Sequence, residues 1–245
     1  MISHRIFISS LKNSKDGTLN LSQEESHHLV KVLRTKINEK FEGLSGMGHL
    51  YKLELTQYCN KIASVKILEH RVSPPPKRIE LAIGIPKEKA MSGLIRRSTE
   101  MGISKIIPLM TQFSSYKHHS KKEQGWRADA VQACKQSGNP WTPEIAQPQR
   151  FEKWLNAFCQ NRNILFYGSL TSPRKPIFSY SETIKSASKI TWLVGPEGDF
   201  SSSEYQLLKN NNTIPVVLGT HVLRVETAVI AGLAQITACM GQVPK

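Results

Sequence analysis

Two periodicities divide this chain. Residues 41–44, 49–57 and 61–68 alternate apolar and polar side chains, as strands buried on one face do. Residues 5–8 form a further short strand candidate. Ser22 and Glu25 mark a capping box ahead of a helix predicted to run to about Arg34. Gly43, Gly46 and Gly48 supply turns. Short strands with one helix predict a small barrel over residues 1–72.

Ser73-Pro74-Pro75-Pro76-Lys77 interrupts the pattern. Three prolines neither continue a helix nor enter a sheet interior, and they favour an extended, semi-rigid spacer. A domain boundary is expected here, with a second domain over residues 77–245. From there apolar runs alternate with helical periodicity. Strands are predicted over residues 79–85, 105–109, 163–167, 190–194 and 214–218, and helices over 87–101, 126–137, 151–160 and 225–241. In the first helix Ala90, Met91, Leu94, Ile95 and Ser98 share a face. The alternation predicts an α/β domain, a parallel sheet with helices on both faces.

Composition adds a partner. The 245 residues carry a net charge of +14 and are 39% hydrophobic, enough apolar surface for a packed core. Residues 71–130 hold 12 basic and 5 acidic residues, half of the excess. Such a balance points to a polyanion, nucleic acid or an anionic membrane surface. Cys59, Cys134, Cys159 and Cys239 show no Cys-x-x-Cys spacing, so no zinc or redox pair is signalled. His27-His28 and His118-His119 also lack metal-ligand spacing, and no metal is expected. Neither a signal peptide nor a membrane span is apparent. A cytoplasmic protein with reduced thiols is expected.

Candidate chemistry gathers in two loops, Gly195-Pro196-Glu197-Gly198-Asp199 and Leu218-Gly219-Thr220-His221-Val222-Leu223-Arg224. Each follows a short apolar run and opens a helix. Ligands of parallel sheets sit beyond the carboxyl ends of the strands, which is where both loops fall. The glycines let the backbone turn sharply and approach a ligand. Ser201 and Glu204 form a second capping box, so a helix starts directly after the first loop. Neither loop is a Walker A or dinucleotide fingerprint. Either one alone reads more readily as a tight turn; the pair reads as a small-molecule site. The last helix is rich in small residues, Ala228, Ala231, Gly232, Ala234 and Ala238, so it is deeply buried or part of a subunit interface.

These motifs resemble the SPOUT superfamily of knotted methyltransferases, and most closely the RsmE family, which methylates N3 of a uridine in 16S ribosomal RNA. The resembling segments are Gly195-Pro196-Glu197-Gly198 with Phe200-Ser201, and Leu218-Gly219 with Val222-Leu223-Arg224 and Glu226-Thr227-Ala228. Ser98-Thr99-Glu100-Met101-Gly102-Ile103, Gln136-Ser137-Gly138, Pro143-Glu144-Ile145 and Val32-Leu33-Arg34 are similar to further family segments. The resemblance spans nearly the whole chain. It implies a PUA-like barrel followed by a trefoil-knotted parallel-sheet domain, S-adenosylmethionine as cofactor, 16S rRNA or the small ribosomal subunit as partner, and a homodimer. Four positions depart from the family's pattern. Asp199 stands where glycine is usual, Asn38-Glu39 where Gly-Asp is, and Asn139 where arginine is.

Within that resemblance Arg224 and Glu197 are the candidate catalytic residues. Arg224 holds the uracil carbonyl oxygens or a flanking phosphate, or else ties the loop to a carboxylate such as Glu226. Glu197 orients the cofactor or accepts a proton, or else satisfies backbone donors in its own loop. The cofactor pocket is expected from Leu193, Val194, Gly195, Glu197, Gly198, Leu218, Gly219, Val222, Leu223 and Thr227. RNA contacts are expected from Arg34, Lys87, Lys89, Arg96, Arg97, Lys121 and Lys122, beside the basic run Lys117-His118-His119. A methyltransferase of another RNA or of ribose 2′-OH, and a non-catalytic RNA-binding assembly factor, are the alternatives. The two intact loops argue against the second.

Overall fold

The computed structural model describes residues 4–8, 17–114, 120–160, 163–170 and 173–241, and of residues 88, 89 and 120–123 only the backbone. The chain divides into two compact units. One comprises residues 1–75 with 131–142, the other residues 76–130 with 143–245.

The first unit holds β1 (Arg5–Phe7), β2 (Thr18–Asn20), α1 (Gln23–His27), β3 (Lys40–Leu44), β4 (His49–Cys59) and β5 (Ile62–Val72). They form one sheet in the order β1-β3-β4-β5-β2. β1 pairs with β3 in parallel, and the other ladders are antiparallel. Alternation along β4 buries Tyr51, Leu53 and Leu55, which pack with Ile6, Phe41 and Val65 around Leu29.

The helix predicted to reach Arg34 is shorter. It ends at His27, continues as a π-helical turn over His28–Val32, and stops before Arg34, whose φ is +57°. Only half of the expected capping box forms here. Ser22 accepts from the Glu25 N–H, but the Glu25 carboxylate accepts from Phe7 N–H and pairs with Lys135 at 3.0 Å. A nearly buried cation competes successfully for a carboxylate that a cap alone would hold only weakly. Asn38, in place of the family's glycine, has φ +66°. Asparagine is one of the few side chains that accept this left-handed geometry at small cost.

The second unit holds β6 (Arg78–Gly84), α2 (Glu88–Glu100), β7 (Lys105–Met110), β8 (Glu144–Ile145), β9 (Gln149–Arg150), α4 (Phe151–Cys159), β10 (Ile164–Gly168), β11 (Lys175–Pro176), α5 (Ser181–Ser186), β12 (Lys189–Val194), α6 (Ser202–Asn210), β13 (Ile214–Val217) and α7 (Val225–Cys239). α3 (Ser120–Ser137) starts in this unit and ends in the first. The sheet runs β11-β13-β10-β12-β6-β7-β8, with β9 also on β7, and every ladder among the described residues is parallel.

Period-two alternation sorts the core onto the two sheet faces. Ile79, Leu81 and Ile83 of β6 and Trp192 and Val194 of β12 pack with α2 and α7. Ala82 and Leu193 face the other way, toward α4 and α6. A strand buried on both faces needs continuous apolar sequence, which is why these runs stand out in the chain. β2, β8, β9, β11 and α5 were not expected, because segments this short carry too few positions to show a period.

α7 packs on β12 through Gly232, whose missing side chain makes room for the buried Trp192 indole. A Cβ there would collide with the indole ring. Gly232→Ala is therefore expected to lose about 2 kcal/mol by overpacking, despite alanine's better helix propensity, as read from the urea midpoint. An unchanged midpoint would mean that the two elements can separate at no cost.

Candidate active site

Both loops sit beyond the carboxyl ends of parallel strands. β12 ends at Val194, and residues 195–201 turn directly into α6. The Asp199 N–H closes the turn on the Pro196 carbonyl at 2.8 Å. The left-handed position belongs to Asp199, with φ +61°, and neither Gly195 nor Gly198 has positive φ. The glycines serve close approach instead. A Cβ on Gly195 would lie 2.8 Å from Asp199 Oδ1, and one on Gly198 2.9 Å from Phe113 Cβ. Gly84, ending β6, is closed against Pro196 in the same way, its would-be Cβ 2.5 Å from Pro196 Cδ. The loop is thus packed tightly, and its φ demand has moved to an aspartate.

Here the capping box is complete. Ser201 accepts from Glu204 N–H, and Glu204 Oε2 accepts from Ser201 N–H at 2.8 Å. Glu204, only 5% exposed, also takes the Gln112 N–H on Oε1 at 2.9 Å, joining this loop to the segment after β7. On the other side, Glu197 accepts from the Lys87 N–H at 3.0 Å. Its carboxylate therefore tethers the start of α2 to the loop.

The second loop runs from the end of β13 at Val217 to Arg224, the N-cap residue of α7, whose side chain makes no capping bond. Arg224 is exposed, and no carboxylate pairs with it among the described residues; the expected alternative, a tie to Glu226, is not formed. Gly219 has no positive φ, and a Cβ there would meet nothing within 4 Å. The expected turn glycine is therefore not obligatory for the turn; it leaves open space at the cavity wall.

A third wall was not anticipated. β10 ends at Gly168, and Ser169, Leu170 and Arg174 follow, with Arg174 donating to the Ser169 carbonyl at 2.7 Å. The three loops enclose a cavity of about 650 Å³, within the roughly 300–1,000 Å³ of small-molecule sites. Its signal was present in sequence: residues 163–167 are an apolar strand followed by a glycine, the same layout as the other two loops.

Lys87, Val194, Gly195, Glu197, Leu218, Gly219, Val222, Leu223 and Arg224 line the cavity. Leu193, Gly198 and Thr227 do not. Leu193 lies on the opposite face of β12 from Val194 and is fully buried against α4 and α6. Gly198 lies against Phe113, and Thr227 is exposed on α7. Cations Lys87, Arg174 and Arg224 and carboxylates Glu197, Asp199 and Glu226 share the lining.

Asp199 Oδ2 accepts from Tyr205 OH at 2.6 Å. Burial, then the hydrogen bond to Asp199 and its charge, push the Tyr205 phenol well above its ordinary pKa, so it stays a donor throughout the neutral range. Asp199→Ala should cost about 1 kcal/mol more stability than Asp199→Gly, because alanine tolerates positive φ poorly. Equal melting temperatures for the two variants would show that φ does not matter here.

The sequence profile of an RNA methyltransferase domain matches residues 73–237, and that of an RNA methyltransferase PUA domain matches residues 21–68. The chain belongs to the RNA methyltransferase family. Among relatives, this RNA methyltransferase is 29% identical to the ribosomal RNA small subunit methyltransferase E of Rickettsia conorii, covering 95% of this chain and 94% of that one. It is 28% identical to the same-named protein of Buchnera aphidicola from Schizaphis graminum, covering 91% of each. A methyltransferase from Legionella pneumophila, solved with bound SAM, superposes with a TM-score of 0.85 at 26% identity over 96% of this chain and 97% of that one. The architecture is the expected one, a PUA-like domain followed by a SPOUT-type α/β domain.

Of the RNA methyltransferase's expected RNA contacts, Lys87 borders the cavity and Arg97 is exposed on α2. Arg96 is held by Asp129 through two hydrogen bonds to Oδ1, so part of its charge is already neutralised. Arg34 is exposed in the first unit. Lys117, His118 and His119 lie outside the described residues, as do the side chains of Lys89, Lys121 and Lys122. Among the described residues no group of His, Cys, Asp and Glu could hold a metal, and no helix is long and apolar enough to cross a membrane.

Proposed function

We propose that this chain is a cytoplasmic, S-adenosylmethionine-dependent methyltransferase acting on N3 of a uridine in 16S rRNA of the small ribosomal subunit. The observation that carries the reading is the cavity built from three loops at the carboxyl ends of β10, β12 and β13, with the unpaired Arg224 at its edge. The residues fit the cofactor. Val194, Leu218, Val222 and Leu223 offer apolar walls for a purine, and the loop backbones lie alongside. Charges of both signs, Arg174 and Lys87 against Glu197 and Asp199, match the two ends of an amino-acid moiety.

When bound, that cofactor supplies an electrophilic methyl group on a sulfonium. The uridine N3 must give its proton to solvent base before its lone pair can attack. Until the N–C bond forms and the C–S bond breaks, the negative charge of the uracil anion is spread over its two carbonyl oxygens. In this reading Arg224 holds that charge, its planar guanidinium suited to two oxygens. Glu197 acts as a positioning residue, fixing the loop through the Lys87 N–H. Most of the rate enhancement then comes from orientation and charge stabilisation.

The homodimer belongs to this proposal. On α7, Thr227, Ala234 and Ala238 are exposed, a smooth strip along which a second subunit can approach closely. Sedimentation at micromolar concentration checks it, and a monomer would refute that part. For the activity, calorimetric titration with S-adenosylmethionine should show saturable binding. Mass spectrometry should show N3-methyluridine missing from the 16S rRNA of a strain lacking the protein. An unchanged level of that nucleoside would refute the assigned target, and absent cofactor binding would refute the enzyme.

A further inference from the structure

Phe113 lies outside the cavity lining, and the reading above gives it no task. It is 50% exposed. A single exposed aromatic needs no explanation by itself; what distinguishes this one is its mount. It follows β7 in a turn locked on both sides. Thr111 N–H donates to Ser114 Oγ at 3.1 Å, and Ser114 N–H donates to the Thr111 carbonyl at 3.2 Å. Between them, Gln112 N–H is held at 2.9 Å by the buried carboxylate of Glu204, the same group that caps α6 and so fixes the first loop. Underneath, Phe113 rests on Gly198, where any side chain would crowd its Cβ.

This mount leaves half of the side chain outside the core. It fixes an exposed ring in register with the tip of the loop that borders the cavity. Glu197 and Asp199 flank that tip and line the cavity, and Lys87 is bonded to Glu197. The chain as a whole carries a net charge of +14 and so attracts polyanions. The groups of RNA that an exposed benzene ring recognises are its unpaired bases, which stack on aromatic faces regardless of sequence.

We infer that Phe113 is a base-stacking positioning residue: the unpaired target base or its immediate neighbour stacks on the ring and is held there beside the methyl-donor cavity. The inference rests on the RNA methyltransferase reading, and it adds a specific residue for holding the substrate nucleotide.

The test uses the full-length protein and three variants, Phe113→Ala, Phe113→Leu and Phe113→Trp. KM is measured with small ribosomal subunits lacking the modification. Affinity for a fluorescent single-stranded oligoribonucleotide is measured by anisotropy without cofactor. Alanine and leucine should each weaken both quantities roughly tenfold, the loss of one stacked base, and tryptophan should restore them. Calorimetric affinity for S-adenosylmethionine, the melting temperature and the sedimentation coefficient should stay at wild-type values in all three. Full activity of Phe113→Leu would overturn the inference, since an apolar contact would then suffice. So would wild-type KM and anisotropy in Phe113→Ala, or a change in sedimentation, which would make the ring a contact between copies. If the wild-type protein failed to bind S-adenosylmethionine, the methyltransferase reading would fall, while the anisotropy series would still decide stacking.

Discussion

Arg224→Ala is expected to abolish measurable methylation, lowering kcat by about 100-fold or more, the scale of removing one preorganised donor to a developing anion. The protein should stay folded with an unchanged melting temperature. The side chain is exposed, makes no capping bond to α7 and pairs with no carboxylate among the described residues. Arg224→Lys should recover little, because an ammonium cannot present two parallel donors to two oxygens. A second signature separates charge stabilisation from simple docking. Without the guanidinium, residual activity should rise more steeply with pH, as solvent base takes over in forming the uracil anion. If Arg224→Ala instead raised KM for RNA with kcat intact, the arginine would be a phosphate contact. Near-normal turnover would remove it from the reaction.

Much of this site was legible before the fold was known, for a simple reason. A strand buried on both faces must be an unbroken apolar run, and a loop that opens a helix advertises its cap. Residues 190–194 followed by Ser201 and Glu204 carry both signals, and β12, the loop and α6 form as expected. The missed wall after β10 carries only one of them, an apolar run ending at Gly168 with no cap behind it. Side-chain direction was harder. Leu193 and Val194 are equally apolar, and only the pairing of β12 between β6 and β10 decides which of them faces α7 and the cavity. A shift of one residue would exchange their roles. Long-range competition was illegible altogether. Ser22–Glu25 and Ser201–Glu204 are the same motif, yet Lys135, more than a hundred positions away in sequence, pairs with Glu25. The two departures from the family's glycines turned out to share one cause. Asn38 and Asp199 both hold positive φ, the geometry that favours glycine and that asparagine and aspartate tolerate best among the other residues.

The capping boxes also set up the other large effect. Glu204→Ala should cost about 4 kcal/mol, because it strips two backbone donors, Ser201 N–H and Gln112 N–H, of a charged acceptor that is 5% exposed. Ser201→Ala removes only the reciprocal half of the box and should cost about 1 kcal/mol, the usual worth of a cap. The difference between the two measures what Glu204 does beyond capping, namely fastening the turn after β7 to the turn after β12. Glu204→Gln should fall between them, since one of its two positions becomes an N–H facing a backbone N–H. Urea unfolding of the three variants supplies the stabilities. The same fastening links Phe113 to the cavity's loop, so Glu204→Gln should also weaken RNA binding at temperatures where it remains folded, and Ser201→Ala should not. Equal losses of stability for Glu204→Ala and Ser201→Ala would refute the bridge and leave Glu204 an ordinary cap.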